Sequence, residues 1–197
     1  MSLSSPTIRH RRTEDVAAVC ALLARQQPSS RYPFQWPLPY PVEDFVVRPG
    51  ELAAAVAEHD GEIVGHVSVT SLIASTASGD VATAFERATG RPAAELAAVS
   101  VLFVDPGVRG EGVGRRLLET AARHIRALGR QPVLDVVPTH LNAVRLYRHL
   151  GWIDIGTMRP GWLDEEEPEV LLMTLPAVPP APAEPAQSRA AEQSRSA

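Results

Sequence analysis

Residues 99–114 read VSVLFVDPGVRGEGVG. A run of β-formers, 99–104, meets Pro106 and Gly107. Three glycines then alternate at 110, 112 and 114 behind Arg109. The stretch GRRLLETAARHIRAL, 114–128, follows with helical spacing of Leu117, Ala121, Ile125 and Leu128, and Gly129 as its stop. A strand, a glycine loop and a helix in that order place backbone N–H groups and the positive end of a helix at one point. That is an anion site, or else a tight turn. It is not a Walker loop, because no Gly-Lys-Ser/Thr follows, and the Gly-x-Gly-x-x-Gly spacing of a dinucleotide fingerprint is absent. The motif also stands behind the fourth predicted strand, where a dinucleotide fold would use the first.

Working outward, the chain alternates between strands and helices. TIRHR (7–11) predicts an edge strand, and EDVAAVCALLARQQ (14–27) a helix opened by Thr13 or Glu14. Residues 28–50 are rich in proline and carry RYPFQWPLPY (31–40), which predicts irregular structure. A hairpin is expected over 51–71, turning at Asp60-Gly61. An insertion at 73–94 holds a short helix, Asp80 to Thr89, stopped by Gly90 and Pro92. LAAVSVLFV (96–104) and PVLDVV (132–137) predict buried strands, and LNAVRLYRHL (141–150) a helix. WIDIGTM (152–158) and PEVLLMTL (168–175) close the sheet. Residues 177–197, rich in proline and alanine, are expected to be disordered, which leaves one domain over 1–176.

Composition narrows the function. The 197 residues are 45% hydrophobic and carry a net charge of −4, which offers no basic field for nucleic acid or an anionic membrane. All 19 positive residues are arginine, in keeping with a high-GC bacterial coding bias. The single Cys20 excludes an internal disulfide and lies in an apolar helical stretch as a buried thiol. No stretch is long enough to span a bilayer, and the start lacks a signal-peptide core, so a cytoplasmic protein is expected.

The order of strand, Pro106, Arg109, glycines, helix, strand and a tyrosine-bearing helix resembles the GNAT superfamily of acetyl-CoA-dependent N-acetyltransferases. Arg109-Gly110-Glu111-Gly112-Val113-Gly114 is similar to its Arg/Gln-x-x-Gly-x-Gly/Ala motif. Ala143, Tyr147, Gly151 and Trp152 fit a second block, Ala-x-x-x-Tyr-x-x-x-Gly-aromatic. The resemblance implies an α/β fold whose mixed, mostly antiparallel central sheet has splayed fourth and fifth strands and is flanked by helices. It implies acetyl-CoA as cofactor and direct acetyl transfer to a primary amine of a small molecule or a peptide. Backbone groups of Leu102, Phe103 and Val104 would pair with the pantetheine arm. The loop Arg109, Gly110, Glu111, Gly112, Val113, Gly114 and Arg115 would hold the pyrophosphate. Tyr147 would give its proton to the departing thiolate. Asn142 is either a pantetheine ligand or a helix N-cap. No metal is implied.

Two positions depart from the family. Ser100 stands where many relatives carry a basic glutamate, and His140 where an asparagine is common. Glu95 has the wrong parity to replace the glutamate unless a bulge intervenes. The base is therefore unassigned, and His140 is either a base or a solvated loop residue. Tyr32, Phe34 and Trp36, with Tyr40, form an aromatic acceptor wall or a core cover. The acidic run DEEEPE (164–169) is an amine attractor or a solvated loop, and the 73–94 insertion shapes the acceptor mouth or a homodimer contact. The absent glutamate keeps a rival in play, a non-catalytic acyl-CoA sensor or interaction module on the same fold.

Overall fold

A computed structural model describes residues 5–73 and 79–176. Its strands are β1 (Thr7–His10), β2 (Glu51–His59), β3 (Glu62–Ser71), β4 (Leu96–Val104), β5 (Gln131–Val136), β6 (Ile153–Met158) and β7 (Val170–Thr174). Its helices are α1 (Val16–Ser30), α2 (Val42–Val46), α3 (Gly79–Thr89), α4 (Val113–Ala127) and α5 (Leu141–His149). The strands form one seven-stranded sheet in the order β1-β2-β3-β4-β5-β7-β6. Only the β4–β5 contact is parallel.

That contact is short. Leu96, Ala97 and Ala98 pair with Gln131, Pro132 and Val133, and there the pairing ends. Beyond it, β5 runs with β7 from Val133 to Val136 while β4 stays with β3. A bulge in β4 accompanies the divergence. Between the pairs His66–Phe103 and Ser68–Ser100 the register shifts, and Val101 takes a φ of 51°. A β-branched residue in that region is a genuine outlier. The bulge lies past Ser100, so it does not bring Glu95 onto the serine's face. Glu95 sits before β4 in a 3-10 turn, ion-paired with Arg91 at 2.9 Å.

The two sheet faces carry different helices. Ala97, Val99, Leu134 and Val136 pack with the buried stripe of α4, which includes Leu117, Leu118, Ala121 and Ile125, and with Val144 and Tyr147 of α5. On the other face, Val56, Val101 and Phe103 meet α1 and α2. Lower on that face, Phe85 of α3 is fully buried against Leu96, Ala98 and Val133. The helix of the 73–94 insertion thus seals the paired end of β4 and β5. Gly65 of β3 lets α4 approach closely, since a Cβ there would stand 2.9 Å from Leu117 Cδ1.

Two expectations change. The proline-rich segment 28–50 is partly regular: α1 continues through Pro28 to Ser30, and α2 forms within the segment. A proline near the helix end forfeits one N–H bond only, and α2 buries Phe45 and Val46. Leu128 is 46% exposed, because the helix has ended before it and Gly129 turns left-handed at φ 71°. The predicted tail, 177–197, and residues 74–78 of the insertion lie outside the described residues.

Two stability outcomes follow. Gly65→Val should destabilise the fold by about 1–3 kcal/mol in a urea titration, because the side chain must displace Leu117. The Asp15 carboxylate accepts from Arg9 at 2.6 and 2.9 Å, and this lowers its pKa to about 2. The ion pair therefore contributes fully above the ordinary value of 3.8 and is lost as the pH falls toward 2. Asp15→Asn should cost about 2 kcal/mol at pH 7, by the energy per pKa unit, and almost nothing near pH 2.

Candidate functional site

The loop after β4 is built by short-range hydrogen bonds. Asp105 accepts from its own loop at the Gly107 N–H (2.8 Å) and from α1 at Arg25 Nη2 (2.6 Å). Burial works against its charge, but these donors hold its carboxyl below the usual value. The amides of Arg109 and Glu111 are used inside the turn, on the carbonyls of Pro106 and Val108 at 3.4 Å each. Gly110 and Gly112 take φ of 91° and 76°, which few other residues adopt, with open space where a Cβ would stand. The first bond of α4 runs from the Arg116 N–H to the Gly112 carbonyl at 3.0 Å. The N–H groups of Val113, Gly114 and Arg115 therefore have no acceptor within the helix, and Gly112 brings no side chain to cap them. Such a helix start holds partial positive charge open to an anion. Arg109 is exposed and reaches Ser29 Oγ at 3.3 Å; Arg115 pairs with Glu119 at 2.8 Å. Glu111 is exposed beside them.

Next to this loop is the gap between β4 and β5. The edge of β4 that faces β5 has no strand partner from Val99 to Val104. Backbone groups along it that no side chain engages are open to an outside partner; the Val101 carbonyl is not among them, lying 3.0 Å from His66 Nδ1. Along it, Leu102 and Val104 are half-buried toward α4, while Phe103 is buried on the opposite face.

Tyr147 closes the gap from α5. Its ring is 8% exposed and lies 6.2 Å from Trp152. Burial, and then the nearby Tyr32 and Asp135, raise its phenol well above the ordinary value, so it remains protonated at neutral pH. Asn142 is exposed and lies inside α5; the N-cap is His140, so the capping reading is set aside. His140 is not a solvated loop residue. It is half-buried, edge-on to Tyr32 at 6.3 Å between ring centroids, and burial lowers its pKa. The Ser100 hydroxyl is bonded to Thr70 at 2.9 Å.

The aromatic segment divides. Tyr32 stands before the gap, 5.9 Å from Phe45 and 6.5 Å from Phe103, and burial pushes its phenol up to about 12. Phe34 instead packs against the cluster around Phe85. Trp36 is half-buried and Tyr40 exposed. The acidic run 164–169 is mostly exposed and is pinned by Arg159, which donates to the carbonyls of Asp164 and Glu167. Cys20 is half-buried on α1, and burial raises its thiol.

Two charged residues at the gap escaped the sequence reading. Asp135 shares the strand parity of Val133 and Val137, so it faces the α1 side rather than α4. Its side chain is exposed, and the protein atoms around it raise its carboxyl pKa against the pull of the Arg48 guanidinium. The Arg48 guanidinium stacks 4.5 Å over the Phe45 ring and donates to the Phe45 carbonyl at 3.2 Å. A lone acid inside the apolar run PVLDVV was the available signal for Asp135.

The chain matches the acetyltransferase (GNAT) family over residues 17–152. The ABC transporter ATP-binding protein RamB of Streptomyces coelicolor is 33% identical over 143 residues, which are 71% of this chain and 22% of that protein. The chain thus spans about a fifth of the length of that curated relative. Among solved structures, a GCN5-related N-acetyltransferase from Kribbella flavida aligns with a TM-score of 0.62 and 20% identity, covering 88% of this chain and 98% of the other. The putative acetyltransferase yncA of Salmonella typhimurium, solved with its cofactor acetyl-CoA, aligns at 0.61 with 18% identity, covering 87% and 92%. With the fold shared and the family pattern running from α1 to the tryptophan behind α5, the chain belongs to the GNAT acetyltransferase family.

Proposed function

We propose that the protein transfers an acetyl group from acetyl-CoA directly to a primary amine. The observation that carries this reading is the unpaired β4 edge opening beside an uncapped α4, with the buried Tyr147 at the gap. The donor sets fit the cofactor. The amides of Gly110, Gly112, Val113, Gly114 and Arg115 suit two phosphates, with Arg109 adding charge at the rim. The backbone of Leu102, Phe103 and Val104 suits the amide-bearing pantetheine arm, and Asn142, exposed in the first turn of α5, would bond that arm. Acetyl-CoA, when bound, supplies an activated acetyl group and a thiolate leaving group.

The protein's own residues then divide the proton work. Tyr147 holds its proton until a thiolate develops, as a general acid should. Asp135, on the acceptor side, attracts an ammonium ion and accepts its proton, which restores a neutral nucleophile. The raised carboxyl pKa suits that role better than an ordinary one. Tyr32, with Phe45 and Phe103 behind it, supplies an apolar wall for the acceptor's carbon skeleton. Trp36 would extend that wall outward, whereas Phe34, packed in the cluster around Phe85, takes no part in it. The acceptor is a small-molecule amine or an exposed peptide amine, and the half-buried Cys20 suits a reducing, cytoplasmic setting.

An amine panel monitored by release of free thiol should identify acceptors; binding of coenzyme A with no turnover on any amine would favour the sensor reading. Tyr147→Phe should lower kcat by about a hundredfold or more, typical of a lost general acid, while calorimetry shows the acetyl-CoA Kd unchanged. In the wild type, kcat/KM should rise with pH through the elevated Asp135 pKa. Asp135→Asn should depress the rate and flatten that limb; a profile of unchanged shape would remove Asp135 from the proton path.

A further inference from the structure

The bulge that opens the gap is held from beneath by a buried polar chain. His66 of β3 is 0% exposed. Its Nδ1 lies 3.0 Å from the carbonyl oxygen of Val101, the residue with φ 51°, and its Nε2 lies 3.1 Å from Arg11 Nη1. Arginine can only donate, so Nε2 must accept, and the ring proton is confined to Nδ1. The Nδ1–H therefore donates to the Val101 carbonyl. Arg11 is oriented in turn by Glu51 Oε1 at 2.7 Å and by the Val46 carbonyl at 3.2 Å. The His66 ring is also backed by Phe103, 5.6 Å away. Burial depresses the His66 pKa to about 4, in accord with a neutral ring.

We propose that Arg11 and His66 are positioning residues that hold Val101 in its left-handed conformation and so keep β4 apart from β5. A buried carbonyl turned out of the sheet ladder needs a donor. With the imidazole donor present the turned peptide is satisfied. Without it, the extended conformation that valine prefers returns, and the two-against-one register with β3 loses its support. Neither residue touches the gap itself. Their functional effect rests on the reading of that gap as the cofactor site; the hydrogen-bond chain does not.

Two measurements on the full chain decide this. In long-range proton–nitrogen correlation spectra of 15N-histidine-labelled protein, His66 should be neutral and protonated on Nδ1 from pH 5 to 8. An Nε2–H tautomer or an imidazolium in that range overturns the proposal, and this holds even where substituted chains fail to fold. By calorimetry, His66→Phe should weaken coenzyme A binding at least tenfold. Adding Val101→Gly, which accepts a positive φ without strain, should restore Kd to within about threefold of wild type. An unchanged Kd in His66→Phe, or a folded double variant with no recovery, reduces His66 to core packing and ends the proposal. A wild-type chain that binds no coenzyme A would instead sink the cofactor reading, and the tautomer would still decide the hydrogen-bond chain.

Discussion

Three residue pairs hold the only parallel contact among the described strands, and the rest of the site depends on that contact being so short. A parallel pair that continued would have satisfied the backbone of β4 and closed its edge. Instead β5 follows β7, β4 follows β3, and the space between them is bordered by unpaired main chain. An edge of this kind in the middle of a sheet is a liability unless something fills it. Here both ends are bounded, by Phe85 of α3 below and by the loop leading into α4 above. The opening is therefore a slot of fixed position rather than a frayed sheet.

Most of the fold was legible because local signals agreed with each other. The Asp60-Gly61 turn takes φ of 48° and 83°, as the hairpin pattern required. The stripe of Leu117, Ala121 and Ile125 is buried along α4, and Gly129 marks its end. What could not be read was set by distant partners. Nothing in residues 41–46 announces a helix until Phe45 and Val46 have a core to enter, and Pro28 looks like a break until α1 absorbs it in its last turn. The bulge at Val101 is similarly silent, since valine is the residue a straight strand would use.

The site shows the same division. Its backbone part was visible, because glycine spacing before a helix has a local physical meaning. The side chains that give it charge were less so. The role proposed for Asp135 depends on the strand it has lost as a neighbour, and the placement of Arg48 on the ring of Phe45, three residues before it in a segment of irregular appearance. His140 and Tyr32 meet only through tertiary structure, across 108 residues of sequence (140 − 32). Tyr32, Phe34 and Trp36 alternate in sequence like one wall, yet the chain turns between them and sends Phe34 to a separate cluster.

The loop before α4 is anchored on the opposite side of the sheet. Arg25 reaches Asp105, and Ser29 reaches Arg109, both from the last turns of α1. The helix that leads into the aromatic segment is thus tethered to the turn that presents the free amides. Both rims of the slot share one helix, α1, through these two hydrogen bonds. On the proposed reading of the slot as an acetyl-CoA site, a change in α1 that admits a bulkier amine reaches the turn before α4 through these same two bonds.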